Sequence, residues 1–315
     1  MSKTTFGNII ERYRKKLNVS QKIVHEGIGS QASYRRGESD EREVDFLIQE
    51  TILARLGQSA ADFELILSDE EYDMWMERLA IRSALAGKDY ETVEKLVSEY
   101  RARYASAHKL HEQFCLYYEL KLAEQNGADR KVLGSMAAEA LSLTKKVEDM
   151  PRLRQSLYTP MELDLLLTLI QYRHEKWNNM FTNGNCLLKI IEYVNEYYSI
   201  ERQEDIEGRA WLELLRVAEK YEDPEQLLDY VDKAIACFCS ATGIERLGEV
   251  RFKKAQLLWR GCEDAVDKEQ QLQQCKEECK MAYSIFDVLG RAEKVREIEE
   301  FCLGELQWHI TMQIE

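Results

Sequence analysis

Proline is nearly absent from this sequence: three in 315 residues, at Pro151, Pro160 and Pro224. Proline removes a backbone donor and clashes with the preceding helical turn, so long stretches remain in which nothing forces a helix to stop. Alternating β-branched and aromatic runs are also scarce, which removes the signal for strands. No stretch approaches the roughly 18 apolar residues of a membrane-crossing helix. The longest apolar run, Leu165-Leu166-Leu167 to Ile170, is short and interrupted. The start, Met1-Ser-Lys-Thr-Thr-Phe6, lacks the apolar core of a signal peptide. The eight cysteines show no disulfide-scaffold spacing, so they read as reduced thiols and the chain as cytoplasmic. Also missing are a phosphate-cradling glycine loop, an HExxH pair and a Gly-x-Ser-x-Gly elbow. Neither an enzyme nor a cofactor is expected, and no membrane partner.

What is present favours helices. Glu, Leu, Lys, Ala, Arg and Gln dominate, and these residues lose little rotamer freedom in a helix. The fold class read from the sequence is all-α. Net charge is −14, unevenly spread. Residues 1–57 hold ten Lys/Arg against eight Asp/Glu, a balance of +2, so the rest carries −16. A slightly basic head on an acidic body confines any nucleic-acid contact to the head. The acidic body points to a protein, peptide or small-molecule partner.

Apolar spacing predicts four short helices in the head: Phe6 to Leu17, Gln21 to about Glu26 behind Ser20, Gln31 to Arg36 behind Ser30, and Val44 to Leu56 closed by Gly57. From Ser59 the helices lengthen, the first opened by the capping box Ser68-Asp-Glu-Glu71. Others are predicted near 89–104, 107–125, 129–147, 160–176, 184–199, 204–221, 224–241, 244–260, 264–288 and 291–313. Helix pairs recur at about 38 to 45 residues, the period of tetratricopeptide-like arrays. Gly87-Lys-Asp-Tyr90 followed by Val93, Leu96, Val97 and Tyr100 is the best single repeat. The architecture expected is a small helix-turn-helix bundle, residues 1–66, followed by a right-handed α-solenoid of helix pairs with a C-terminal capping helix, residues 67–315.

The head carries Phe6-Gly-x-Ile9-Ile10-x-x-Tyr13-Arg14-Lys15, Val19-Ser20-Gln21, Glu26-Gly27-Ile28-x-Ser30, Tyr34-x-Arg36-x-Glu38-x-x-Glu41-Arg42 and Leu53-x-Arg55-Leu56-Gly57. On these residues it resembles the helix-turn-helix domain of the Xre/Cro regulators. With its helical-repeat body, the whole chain is similar to the RRNPP group of Gram-positive quorum-sensing regulators (the Rgg, PlcR, NprR and PrgX type). The resemblance implies a homodimeric transcription regulator whose head binds operator DNA and whose repeats bind a short signalling peptide. It implies phosphate contacts from Gln21 and Lys22. The third helix would enter the major groove, where all four base pairs are distinguishable, offering Gln31, Ser33, Tyr34 and Arg35 to base edges. Arg36 and Arg42 are expected either there or paired with Glu38. Two positions depart from the pattern: Gly37 stands where the family buries an Ile or Leu, and Asp40 replaces a turn glycine. They favour an alternative, a Rap-like protein-interaction scaffold with a vestigial helix-turn-helix.

For a peptide, the repeats would offer aromatic rings and asparagine amides, which hold an extended backbone by paired hydrogen bonds. Tyr118, Tyr172, Asn178, Asn179 and Asn195 are the candidates. His108, His111 and Cys115 share a helical face, as do Cys275 and Cys279. Without a fourth ligand they read as packing residues rather than a zinc site, and no metal is expected.

Overall fold

The computed structural model describes residues 5–146, 156–172, 184–198, 200–240, 243–262 and 265–310. Among them are fifteen α-helices, one 3-10 turn and no strand. The chain divides into two compact units, Met1–Asn178 with Asn195–Ser199, and Asn179–Val194 with Ile200–Glu315.

In the first unit the head comprises α1 (Phe6–Lys16), α2 (Gln21–His25), α3 (Gln31–Glu38) and α4 (Phe46–Arg55). Three of these helices begin where a short polar side chain takes up an orphan amide. Thr5 accepts from the Asn8 amide at 3.3 Å, Ser30 from Ser33 at 3.1 Å and Asp45 from Leu47 at 2.9 Å. Ser20 occupies the cap position of α2, but its hydroxyl makes no cap bond. The apolar stripes meet in a core of Ile10, Val24, Ile28, Ile52, Leu53 and Leu56.

Both departures from the helix-turn-helix pattern have local reasons. A Cβ on Gly37 would lie 2.4 Å from Cγ2 of Val44. The missing side chain therefore admits Val44, and α3 runs on to Glu38 instead of stopping at Arg36. Asp40 is left-handed, φ +57°, a region that Asp tolerates better than most residues. Its carboxylate accepts from the Gly7 amide at 2.9 Å and from the Thr5 hydroxyl. Asp40 thus serves as a second cap on α1.

A 3-10 turn (Ala60–Asp62) leads to α5 (Asp69–Ala86), α6 (Tyr90–Tyr104), α7 (Lys109–Gln125), α8 (Arg130–Ser142) and α9 (Pro160–Tyr172). From α5 to α9 each helix packs on the next. The Ser68–Glu71 box forms as expected, both of its bonds present. Ile81, Val93, Val97, Tyr100, Phe114, Cys115 and Tyr118 make one core, with Met161 of α9 against it. Burying each such large side chain contributes about 1.5–3 kcal/mol, which is what holds repeats that lack a fold of their own.

In the second unit, α11 (Ile200–Ala218), α12 (Pro224–Ser240), α13 (Ile244–Arg260), α14 (Lys268–Val288) and α15 (Ala292–Gly304) pack in sequence, while α10 (Asn185–Tyr197) falls partly in each unit. The Asp223-Pro224 start is a true cap, with Asp223 accepting from the Gln226 amide at 2.9 Å. Two helices are shorter than the pattern suggests. α8 ends at Ser142, because Thr144 and Lys145 turn inward to buried partners. α15 ends at Gly304, and the chain folds back with the Trp308 amide donating to Cys302 O at 2.9 Å. That turn brings Leu306 and Trp308 onto the core of Phe252, Cys279 and Cys302, burial that a continued helix would forgo.

Candidate nucleic-acid interface

Gln31, Ala32, Arg35 and Arg36 are exposed on α3, and Lys22 is exposed on α2. Of these, Ala32, Arg35 and Arg36 border an open groove with Asn8, Gln21 and Ser39, and Glu11, Glu38, Asp40 and Glu41 line it too. This face is pinned from behind. Arg14 Nε donates to Glu38 at 2.6 Å and Arg14 Nη1 to Val19 O at 3.1 Å, while the Gln21 amide donates to the other Glu38 oxygen. Helices α1, α2 and α3 meet at that one carboxylate. The partner of Glu38 is therefore Arg14; Arg36 and Arg42 are both exposed.

The candidate residues are placed unequally. Gln31, Lys22 and Arg35 present free surface. Gln21 is half-buried, with its side-chain amide already bonded to Glu38. Ser33 is half-buried, and its hydroxyl accepts from Ser30 at 2.9 Å. Tyr34 corrects the sequence expectation: it is 5 % exposed, turned into the head beside His25 at 5.6 Å between ring centroids. Burial and the neighbouring Glu38 carboxylate push its phenol well above the usual range. On α3 the buried positions are Tyr34 and Gly37, one turn apart, and the Tyr34 ring fills the core there.

The head is fastened to the repeats by a buried ionic network. Arg55, at the end of α4, is fully buried; its Nη2 donates to Glu162 at 2.6 Å, its Nε to the second Glu162 oxygen at 3.3 Å. Its remaining nitrogen donates to Val24 O at 3.1 Å and to Glu26 O, the exposed end of α2. Glu162 is itself the third residue of α9, bonded reciprocally to Thr159 in a capping box, and it accepts from the Thr144 hydroxyl at 2.6 Å. Burial alone would push its carboxyl up; Arg55, Lys145 and Thr144 together hold it down to about 2. Lys145 donates to Glu26, Ser156 and Leu157 O. Burial and the Arg55 charge lower its ammonium to about 8.

Two glycine turns seat the head on the same surface. Gly27 (φ +68°) and Gly57 (φ +73°) would each place a Cβ 1.9 Å from a carbonyl oxygen, that of Thr144 and that of Tyr197. Helix α5 adds a further tie. Glu71 Oε1 accepts from the Phe46 amide at 2.8 Å, and Arg78 and Arg82 reach Glu50 of α4 at 3.1 and 3.2 Å. Arg78 continues to the Tyr100 hydroxyl, which bonds His111 Nδ1 at 2.6 Å.

In the repeats, Tyr118 corrects another expectation: it is 5 % exposed and packed at a tilt against Phe114, ring centroids 4.6 Å apart, a core residue without a peptide-facing surface. Tyr172 is half-buried under the Arg130 guanidinium at 6.0 Å. Asn195 is exposed. Asn178 and Asn179 lie outside the described residues. His111 is committed to Tyr100, its imidazole lowered to about 4 by burial and by Arg78. His108 caps α7 by accepting from the Leu110 amide at 3.2 Å. Cys115 sits in the core, its thiol pushed up to about 11 by burial.

The sequence hid Arg55, Glu162, Thr144 and Lys145 as a group, since they are up to 107 residues apart. One signal was present: Thr159-Pro160-Met161-Glu162 has capping-box spacing, and Arg55 lies on the apolar face of α4 beside Ile52 and Leu56, where a cation needs a partner.

No protein-family model matches the chain, and no curated protein matches its sequence. Solved structures do. PlcR of Bacillus thuringiensis, in complex with the peptide PapR7 and DNA, is similar over 94% of this chain and 99% of its own, at 15% identity and TM-score 0.52. ComR of S. thermophilus, in complex with DNA and its signalling peptide ComS, is similar over 96% and 99%, at 14% identity and TM-score 0.40. The SHP pheromone receptor Rgg2 of Streptococcus dysgalactiae is similar over 94% and 97%, at 14% identity and TM-score 0.37. By its likeness to PlcR along nearly its whole length, this chain shares the all-helical fold of PlcR.

Proposed function

We propose that the chain is a peptide-responsive transcription regulator: the head, residues 1–66, reads operator DNA, and the repeats, residues 67–315, sense a short peptide. The observation that carries this reading is the open face of α3. Gln31, Arg35 and Arg36 stand free of the core while the Arg14–Glu38–Gln21 knot fixes the helix from behind. Arg and Gln are the side chains that make bidentate contacts to guanine and adenine edges, and Lys22 supplies a phosphate contact. The fold shared with PlcR, solved with a peptide and DNA, supports the same reading. Gly37 and Asp40, which favoured a scaffold, have structural reasons that leave α3 intact.

Coupling runs through Arg55, whose hydrogen bonds to the end of α2 and to the start of α9 tie the reading head to the repeats. A peptide that shifts α9 changes how α2 and α3 are held. Tyr172 and Asn195 remain the described candidates for peptide contact, and the assembly on DNA is a homodimer.

Selection from a randomised duplex library, at about 100 mM salt so that phosphate contacts alone do not dominate, tests the reading. Enrichment of a sequence motif is expected. An unenriched pool from folded protein rules the DNA function out.

A further inference from the structure

A cleft of about 270 Å³ lies beneath α3, walled by Phe6, His25, Ile28, Tyr34, Ile52 and His108. Gly37 lines it, where α3 contributes no side chain and Val44 takes the place of a Cβ. Its walls include four rings, contributed by α1, α2, α3 and the residue that caps α7, so an occupant would touch both the reading head and the first repeats. Both ring nitrogens of His25 are buried at this cleft, and neither has a hydrogen-bond partner among the described residues. Unpaired buried polar atoms are uncommon and costly, so each calls for a physical reason.

We propose that this cleft binds a small neutral aromatic molecule with one polar edge. Size, walls and charge each select that class. An apolar cavity of about 150 Å³ takes a single benzene ring, so the space here suits two fused rings. Ring-lined walls favour a flat aromatic guest through offset and edge contacts. Imidazole nitrogens donate or accept hydrogen bonds, and a ligand N–H or hydroxyl would pair with one that His25 leaves unsatisfied. The exposed rim carries Arg42 beside Glu43 and Asp45, charges of both signs that give no preference for an ionic ligand. The site stands on these contacts alone and does not depend on whether α3 reads DNA.

Titration of the full-length protein with indole, and separately with its hydrocarbon isostere indene, followed through isoleucine methyl NMR signals, tests the site. Saturable shifts confined to Ile10, Ile28, Ile48 and Ile52 are expected with indole. Indene is expected to bind about tenfold more weakly, the value of one buried hydrogen bond. His25→Leu should bring the two ligands to within about twofold of each other, and Ile48→Trp should abolish binding by filling the space. If Ile48→Trp fails to fold, the wild-type titration and His25→Leu still decide. No saturable shift up to the solubility limit, equal affinities for indole and indene in the wild type, or shifts outside these isoleucines would each overturn the proposal and leave a hydrated cleft. No DNA enters the experiment, so its failure leaves the DNA reading standing.

Discussion

Arg55 and Glu162, 107 residues apart, meet at 2.6 Å with neither side chain in contact with solvent. One residue ends the fourth helix of the head and the other begins the ninth helix. Each also satisfies backbone groups at a helix end: Arg55 carbonyls at the end of α2, Glu162 the amide of Thr159, the residue that caps α9. The pair therefore fixes two helix termini and the head-to-repeat junction with one contact.

Removing one partner strands a buried charge, which costs roughly 3–5 kcal/mol. Glu162→Leu and Arg55→Met are each expected to lose that much in denaturant unfolding of the first unit. The double replacement Arg55→Met with Glu162→Leu should recover part of the loss, because no unpaired charge remains. Additive losses in the double variant would contradict the pairing.

The acid response has a defined sign. Glu162 is held below its ordinary carboxylate value, at about 2, so its contribution is complete above about pH 4.5 and fades as pH falls through 2. The stability gap between wild type and Glu162→Gln should be constant from pH 7 to 5 and shrink toward pH 2. A gap that is flat down to pH 2 would mean that the carboxylate is not held in this way.

Asp40 combines left-handed backbone with a cap on α1. Asp40→Ala loses the cap and keeps the strain, for an expected cost of about 1–3 kcal/mol. Asp40→Gly loses the cap but relieves the strain and should be milder. Thermal unfolding distinguishes the two, and an alanine variant as stable as the glycine variant would go against the assignment.

Gly27 and Gly57 admit no Cβ, since each would meet a carbonyl oxygen at 1.9 Å in a left-handed turn. Gly27→Ala should loosen the head from α8 and α9, visible as faster amide exchange at Leu157 to Glu162 with the α13–α14 core unaffected. Unchanged exchange there would show that the turn does not seat the head.

The helices were largely legible, because capping residues such as Ser68, Asp89 and Asp223 sit directly before apolar stripes and fix both type and start. Ends were less so: α15 stops at Gly304 since burying Leu306 and Trp308 outweighs one more exposed turn, a tertiary effect with no local signature. At the exposed face of α3 the sequence located the helix but not the facing of each residue. Tyr34 and Tyr118 carry the chemistry of ligand contacts, yet both face the core. Tyr118 lies one helical turn from Phe114, where a count of the 3.6-residue period places it inward, whereas Tyr34 has no large apolar neighbour on α3 and is turned inward by packing against His25 of α2. The Arg55–Glu162 junction is a long-range pairing, which no periodicity encodes.

The central claim is that α3 reads base edges. Affinity of wild type and Arg35→Ala for the selected duplex and for a scrambled duplex, at equal salt and with folding verified, tests it most directly. Loss of Arg35 is expected to weaken the selected duplex by tenfold or more, on the order of 1–3 kcal/mol for a bidentate base contact, and the scrambled one only slightly. Equal affinities of wild type and Arg35→Ala for the selected duplex would contradict it.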